Sequence, residues 1–235
     1  MVRSVARIPR VKVDPPGPVD VLTPQSGLRR RPRQARAQER IARILDTAEQ
    51  VFAEIGYDVA TTNLIAQQAQ TSIGSLYEFF PNKEAIAHAL ADRYVAQIDE
   101  LYSTLFSEAL SPAEIDGAVL VERIVAGFDR FYRDHPGAVP LLNGRLTSKD
   151  LAAAGENVQA ALERRIVAVF DYRRPDLPEA RRRLIAVVVA ETARAVLVRA
   201  DLVPLSQRRA LVKELERAVV GYLKMADETV GSPVL

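Results

Sequence analysis

The chain has 235 residues, 48% of them hydrophobic, and a formal net charge of +2, which suits one large or two small packed domains. The absence of cysteine excludes disulfides and thiolate metal sites, and two histidines, His88 and His135, are too few for a zinc cluster. The longest apolar run, Leu184–Ala190, is too short to span a bilayer and Pro15-Pro16-Gly17-Pro18 would interrupt a signal-peptide core, so a soluble cytoplasmic protein with no metal or cofactor is expected.

Charge is unevenly spread. Residues 1–40 hold ten Lys/Arg against three Asp/Glu, which leaves residues 41–235 at net −5. A basic arm on an acidic body suits a polyanionic partner, or is simply a solvated tail. Residues 1–35 are rich in proline between Pro9 and Pro32 and lack hydrophobic periodicity, so disorder is expected there. Arg29, Arg30, Arg31, Arg33 and Arg36 precede the first helix. They can enter a narrow minor groove or attract phosphate without specificity.

A first helix is expected from about Arg36 to Ile55, where Ile41, Leu45, Ala48 and Phe52 form one apolar stripe and Gly56 ends it. Thr61 or Thr62 can cap a short second helix carrying Leu64, Ile65, Ala66 and Ala69. Ser72 can cap a third, with Ile73, Leu76, Tyr77 and Phe80 at spacings of three and four, and Pro81 closes it. Two helices this short need a third to pack on. Together with the first helix they read as a helix-turn-helix domain over residues 36–82, whose later short helix fits a DNA major groove.

Ile65-Ala66, Ser72-Ile73-Gly74-Ser75-Leu76-Tyr77, Phe80-Pro81 and Asn82-Lys83-Glu84 resemble the DNA-binding domain of the tetracycline-repressor (TetR/AcrR) family of bacterial regulators. The likeness covers roughly residues 37–95. Gln70 stands where the family usually has glycine, and Ile73 where relatives often have lysine. The recognition helix has no Arg, Lys, Asn or Gln between Ser72 and Phe80, so bidentate reading of purines is unavailable from it. Ser72, Ser75 and a contact from Ile73 to a thymine methyl are expected to read bases. Gly74 permits close backbone approach, and Arg36, Thr61 and Thr62 complete the expected DNA contacts. The resemblance makes Tyr77 and Lys83 phosphate clamps; a half-buried core ring and a solvated helix start are the alternatives.

A fourth helix, from Lys83 to Phe106 or Ala109, carries Ile86, Leu90, Tyr94, Ile98, Leu101 and Leu105. It can act as a lever between two domains. Ser111-Pro112-Ala113-Glu114 signals the start of a fifth, carrying Ile115 to Phe131. A short helix within Gly137–Leu146 follows, then helices over Lys149–Tyr172, Pro178–Leu202 and Ser206–Asp227, with a loose tail beyond. The fold class is therefore all-α, with about nine helices: a three-helix DNA-binding domain followed by an antiparallel bundle.

In the family, residues matching 83–230 form the ligand-binding and dimerisation domain. That resemblance implies a homodimer on a palindromic double-stranded operator, joined through Val188, Thr192, Val196, Leu211, Leu215, Val219 and Tyr222. It also implies a small-molecule effector that releases DNA. Polar residues on apolar stretches are the candidate ligand contacts: Tyr94, Tyr102, Asp129, Tyr132, His135, Asn143, Glu191 and Arg194. Some have plainer readings, His135 as a helix end and Glu191 with Arg194 as an ion pair. A ligand-responsive repressor is thus the leading expectation. An effector-free DNA organiser of the same fold remains open, as does an all-α enzyme, although no nucleophile, phosphate loop or metal spacing supports catalysis.

Overall fold

Nine helices and no strand make up the described residues, 30–107, 115–144 and 149–228 of a computed structural model. In chain order they are α1 (Arg30–Ile55), α2 (Thr62–Gln68), α3 (Ile73–Phe79), α4 (Lys83–Ser107), α5 (Gly117–Asp134), α6 (Ala138–Gly144), α7 (Lys149–Arg173), α8 (Glu179–Asp201) and α9 (Leu205–Glu228). Backbone contacts divide the chain after Glu39. Everything described below, the first ten residues of α1 excepted, lies in the unit that begins at Arg40.

The short elements form where their caps dictate. The Thr61 side chain accepts from the Leu64 N–H and starts α2; the Ser72 side chain accepts from the Ser75 N–H and starts α3. The α2–α3 turn needs one left-handed residue, and Gln70 supplies it at φ +51°. The family resemblance leads to an expected glycine at this position, and an L side chain is strained there.

Two boundaries differ from expectation. Helix α1 begins at Arg30 rather than near Arg36, because Pro32 falls in the first turn, where a missing N–H breaks no helical bond. Residues 30–35 are thus helical, and the expectation of disorder for residues 1–29 lies outside the described residues. Helix α5 begins at Gly117, since the Asp116 carboxylate accepts from the N–H groups of Ala118 (2.9 Å) and Val119 (3.2 Å). Ile115 therefore precedes the helix. The Ser111–Glu114 start signal and the tail beyond Glu228 lie outside the described residues.

One apolar core runs from Ile44 and Phe52 on α1, through Ile65 and Leu76, into Leu90, Tyr94 and Ile98 on α4, and on to Leu197 and Leu215. Helix α4 packs along α7, while α8 lies against both α7 and α9, and α5 crosses α8 and α9. One face of α4, from Ile86 and Leu90 through Tyr94, Ile98 and Tyr102, is buried by this packing. Helix α4 thus spans from the helix-turn-helix to the bundle.

Candidate nucleic-acid interface and ligand cavity

Helices α2 and α3 present a polar face to solvent. Thr61, Ser72, Ile73, Gly74 and Tyr77 are exposed, with Thr62 and Ser75 partly so. The hydroxyls of Thr62 and Tyr77 lie 3.1 Å apart and bridge the two helices. Tyr77 is half exposed, so its ring is not core and its hydroxyl can meet a phosphate. Ser72 spends one lone pair on its cap and keeps its O–H free to donate. A Cβ built on Gly74 would meet nothing within 4 Å, so the fold does not demand glycine there. Arg36, in the first unit, is exposed on α1.

Lys83 does not stand where a phosphate clamp would. Its ammonium donates to the carbonyls of Tyr57 (2.6 Å), Ala60 (2.9 Å) and Asp58 (3.3 Å), and sits 4.2 Å from the Tyr57 ring centroid. Three donors meet three carbonyls, so the group hooks the start of α4 to the turn before α2. Between residues 41 and 84 only Arg43 is then a cation not held this way, against Asp46, Glu49, Glu54, Asp58, Glu78 and Glu84. Positive charge for a DNA backbone must come from the arginines at and before Arg43.

Behind this face lies a buried cluster that sequence analysis does not single out. Glu49 of α1 accepts from the Tyr94 hydroxyl (2.9 Å), and its Oε1 lies 3.3 Å from Nδ1 of His135. Arg93 bonds both Glu49 and Asp46. Burial alone would push the Glu49 carboxyl up; hydrogen bonds from His135 and Tyr94, with the Arg93 charge, outweigh it and hold the carboxyl below its ordinary value. Gly137 packs directly on this cluster, for a Cβ there would lie 2.9 Å from the Glu49 carbonyl oxygen. Tyr94 and His135, expected to touch ligand, instead join α4 and the α5–α6 corner to α1. The signal was present: Glu49 sits four residues after Leu45 and three before Phe52, a carboxylate on an apolar stripe.

The bundle encloses a cavity of about 410 Å³. Tyr102, Tyr132 and Arg194 line it among mostly aliphatic neighbours from α5, α7, α8 and α9. Burial raises both tyrosine hydroxyls well above the ordinary phenol range, so they stay protonated donors. Glu191 bonds Arg194 at 2.6 Å, as an ion pair at the cavity wall. Asp129 does not face the cavity. It pairs with the buried Arg208 (Nε to Oδ1, 3.0 Å), which also reaches Asp201 at 2.7 Å and ties α5 and α8 to α9. The side chain of Asn143 lies outside the described residues.

The seven expected interface residues divide. Val188 is exposed on α8 beside Leu184 and Val187, and Thr192, Val196, Leu211 and Tyr222 are partly exposed. Leu215 and Val219 are buried, one turn apart on the side of α9 that faces the core. They cannot meet a second chain, and Val219 lines the cavity.

Comparison with known proteins agrees with this arrangement. Residues 44–90 match the bacterial regulatory proteins of the tetR family, and residues 116–223 match the tetracyclin repressor-like C-terminal domain. The A-factor receptor protein of Streptomyces griseus is 37% identical over 67 residues, 28% of this chain and 24% of that protein. The chain's matches thus span about a quarter of that relative and 31% of the HTH-type regulator YhgD of Bacillus subtilis, 32% identical over 71 residues. A TetR-family transcriptional regulator from Streptomyces coelicolor superposes with a TM-score of 0.60 at 25% identity, over 80% of this chain and 99% of that one. GusR of Salmonella enterica gives 0.63 at 22% identity, over 79% and 96%. No described helix is long and apolar enough to cross a membrane. With both halves matched and the fold shared, the chain belongs to the TetR family of transcriptional regulators, which bind DNA through the helix-turn-helix and carry a ligand-binding C-terminal domain.

Proposed function

We propose that this regulator is a repressor that binds a palindromic DNA site as a homodimer and releases it when a small molecule fills the bundle cavity. Residues 36–82 serve as the reading domain and 83–230 as the ligand and dimer domain, acting on DNA in a bacterial cytoplasm. The observation that carries this reading is the path of α4. Lys83 at its start is hooked to the turn before α2, Arg93 and Tyr94 are bonded to Glu49 of α1, and Tyr102 lines the cavity. From Lys83 to Tyr102 is about 28 Å of one helix. A ligand that displaces Tyr102 therefore moves the seat of the recognition helix, provided it prefers the DNA-incompetent form.

Dimerisation is supported by the outward faces of α8 and α9. Leu184, Val187 and Val188 make an exposed apolar strip, and Ala218, Gly221 and Met225 are exposed on the neighbouring helix. Two copies of α3 are needed because one short helix reads only a few base pairs. Ser72, Ser75 and Ile73 read bases, Thr62 and Tyr77 hold phosphate, and Arg36 with the preceding arginines supplies charge.

Selection of duplexes from a random pool by the full chain, at two salt concentrations, tests this. The reading predicts an enriched inverted repeat with half-sites about one helical turn apart. Weak binding without enrichment that fades steeply with salt would leave only phosphate attraction and contradict it.

A further inference from the structure

We propose that the cavity takes an elongated carboxylate, an apolar chain with its anionic group at the Lys224 mouth and a carbonyl or hydroxyl oxygen at the Tyr132 end. This rests on the ligand-gated reading above and specifies the ligand for the same cavity.

The shape is set by α5. Its lining residues run from Gly117 to Tyr132, about 22 Å along the helix. The space therefore extends along α5. Along its middle, Leu120, Ile124 and Phe128 face Val169, Ala193 and Leu223, none with a side-chain polar group. A compact polyhydroxylated ligand would leave its hydrogen bonds unmet there, while an extended hydrocarbon loses none.

The mouth lies where the start of α5 meets the ends of α7 and α9, at Asp116, Arg173, Arg174 and Lys224. Asp116 is occupied as the α5 cap. Arg174 is held by Asp176 (Nη2 to Oδ2, 2.8 Å), and Arg173 donates to the Ile115 carbonyl at 2.6 Å. Among the described side chains, none pairs with Lys224. Among the described side chains there, three cations stand against Asp116 and Asp176, so an anion is favoured and a cation repelled.

At the opposite end Tyr132 is only 2% exposed, and its hydroxyl has no hydrogen-bond partner among the described residues. It lines the cavity beside Arg194. A methyl terminus would leave that hydroxyl unsatisfied; a ligand oxygen would satisfy it. Both ends of the space thus ask for oxygen, and only the mouth asks for charge.

Calorimetric titration of the full chain, without DNA, tests the assignment using dodecanoate, 12-hydroxydodecanoate and dodecylammonium below their micellar concentrations. Both carboxylates are expected to bind, the hydroxylated one about fivefold tighter for one added hydrogen bond, and the ammonium more weakly than either. Tyr132→Phe should erase the hydroxyl preference and leave dodecanoate affinity unchanged. Lys224→Gln should weaken both carboxylates and not the ammonium, and Ala193→Trp should abolish binding by filling the middle of the space. Because Ala193→Trp can also disturb packing, Tyr132→Phe, which removes one oxygen, provides the decisive variant. No binding by either carboxylate, equal or tighter binding of the ammonium, or a hydroxyl preference that survives Tyr132→Phe would overturn the assignment. The gating reading fails separately: a carboxylate that fills the cavity yet leaves affinity for a selected duplex unchanged removes the gating and keeps the ligand class. Release of DNA by a cation does the reverse.

Discussion

On the recognition face the hydroxyls of Thr62, Ser72 and Tyr77 stand in solvent, and open space surrounds Gly74. At the junction of α1, α4 and the α5–α6 corner, Glu49 is enclosed by Tyr94, Arg93 and His135, and Gly137 is pressed against the Glu49 backbone. Both regions combine polar side chains with a glycine. In one, the polar groups make only exposed local bonds, Thr62 with Tyr77 and Ser72 as a cap, and keep further capacity for an external partner; in the other, they are buried against each other. The first should be costly to DNA binding and cheap to stability when altered, and the second the reverse.

The largest expected effect is at the junction. Glu49→Ala leaves Arg93 and His135 without their buried carboxylate, and should destabilise by about 3 kcal/mol in urea unfolding, the low end for a broken buried pair because Arg93 is partly exposed. A loss under about 1 kcal/mol would mean the cluster is not closed. The same carboxylate gives the pH dependence. Its folded value lies below the ordinary 4.5, so its stabilisation is present above that value and is lost as pH falls through the folded one. Acid titration of the thermal midpoint should therefore fall less steeply in Glu49→Gln than in the parent.

Gly137→Ala comes next. The added methyl would lie 2.7 Å from Glu49 Cγ and 2.9 Å from both the Glu49 carbonyl oxygen and the Tyr94 hydroxyl. Backbone cannot yield as a flexible side chain does, so a loss of about 2 kcal/mol is expected. Its counterpart, Gly74→Ala, should change stability by less than about 1 kcal/mol, in the favourable direction for a helix interior, and still weaken duplex binding. If both glycine variants lower stability alike, the contrast between the regions is wrong.

Tyr77→Phe sharpens the other side. It removes one hydroxyl and its solvent-exposed bond to Thr62, so stability should stay within about 0.5 kcal/mol, while duplex affinity should fall about fivefold for one lost phosphate contact. Ser75→Ala is a cleaner probe of base reading than Ser72→Ala, because the Ser72 cap alone is worth about 1 kcal/mol. The smallest effect expected is at Gln70. Releasing its left-handed strain with Gln70→Gly should stabilise by about 0.5 kcal/mol once glycine's extra chain entropy is deducted.

Features set by neighbouring residues were legible in the sequence. The Thr61 and Ser72 caps, the stops at Gly56 and Pro81, and the apolar stripes of α4 and α5 depend on residues within a turn or two of each other. What was not legible depends on distant partners. Lys83 reads as a helix-start cation, and only the chain folding back brings the carbonyls of Tyr57, Asp58 and Ala60 to it. Tyr94 and His135 read as pocket polars, but Glu49, more than forty residues away from Tyr94, claims both. Leu215 and Val219 lie on a helix with two apolar sides, and periodicity cannot say which faces another chain. Tyr102, Tyr132 and Arg194 read as polar groups on long apolar helices, and the fold sets all three at the cavity wall.

The account turns on α4 as the link between cavity and recognition face. Amide hydrogen exchange of the full chain, with and without a selected duplex, tests this most directly. It predicts that DNA alters exchange in α2 and α3, along α4 as far as the turn holding Tyr102, and in the α5 wall of the cavity. Changes confined to α2, α3 and the basic arm, with α4 beyond Tyr94 and all of α5 unaffected, would contradict it.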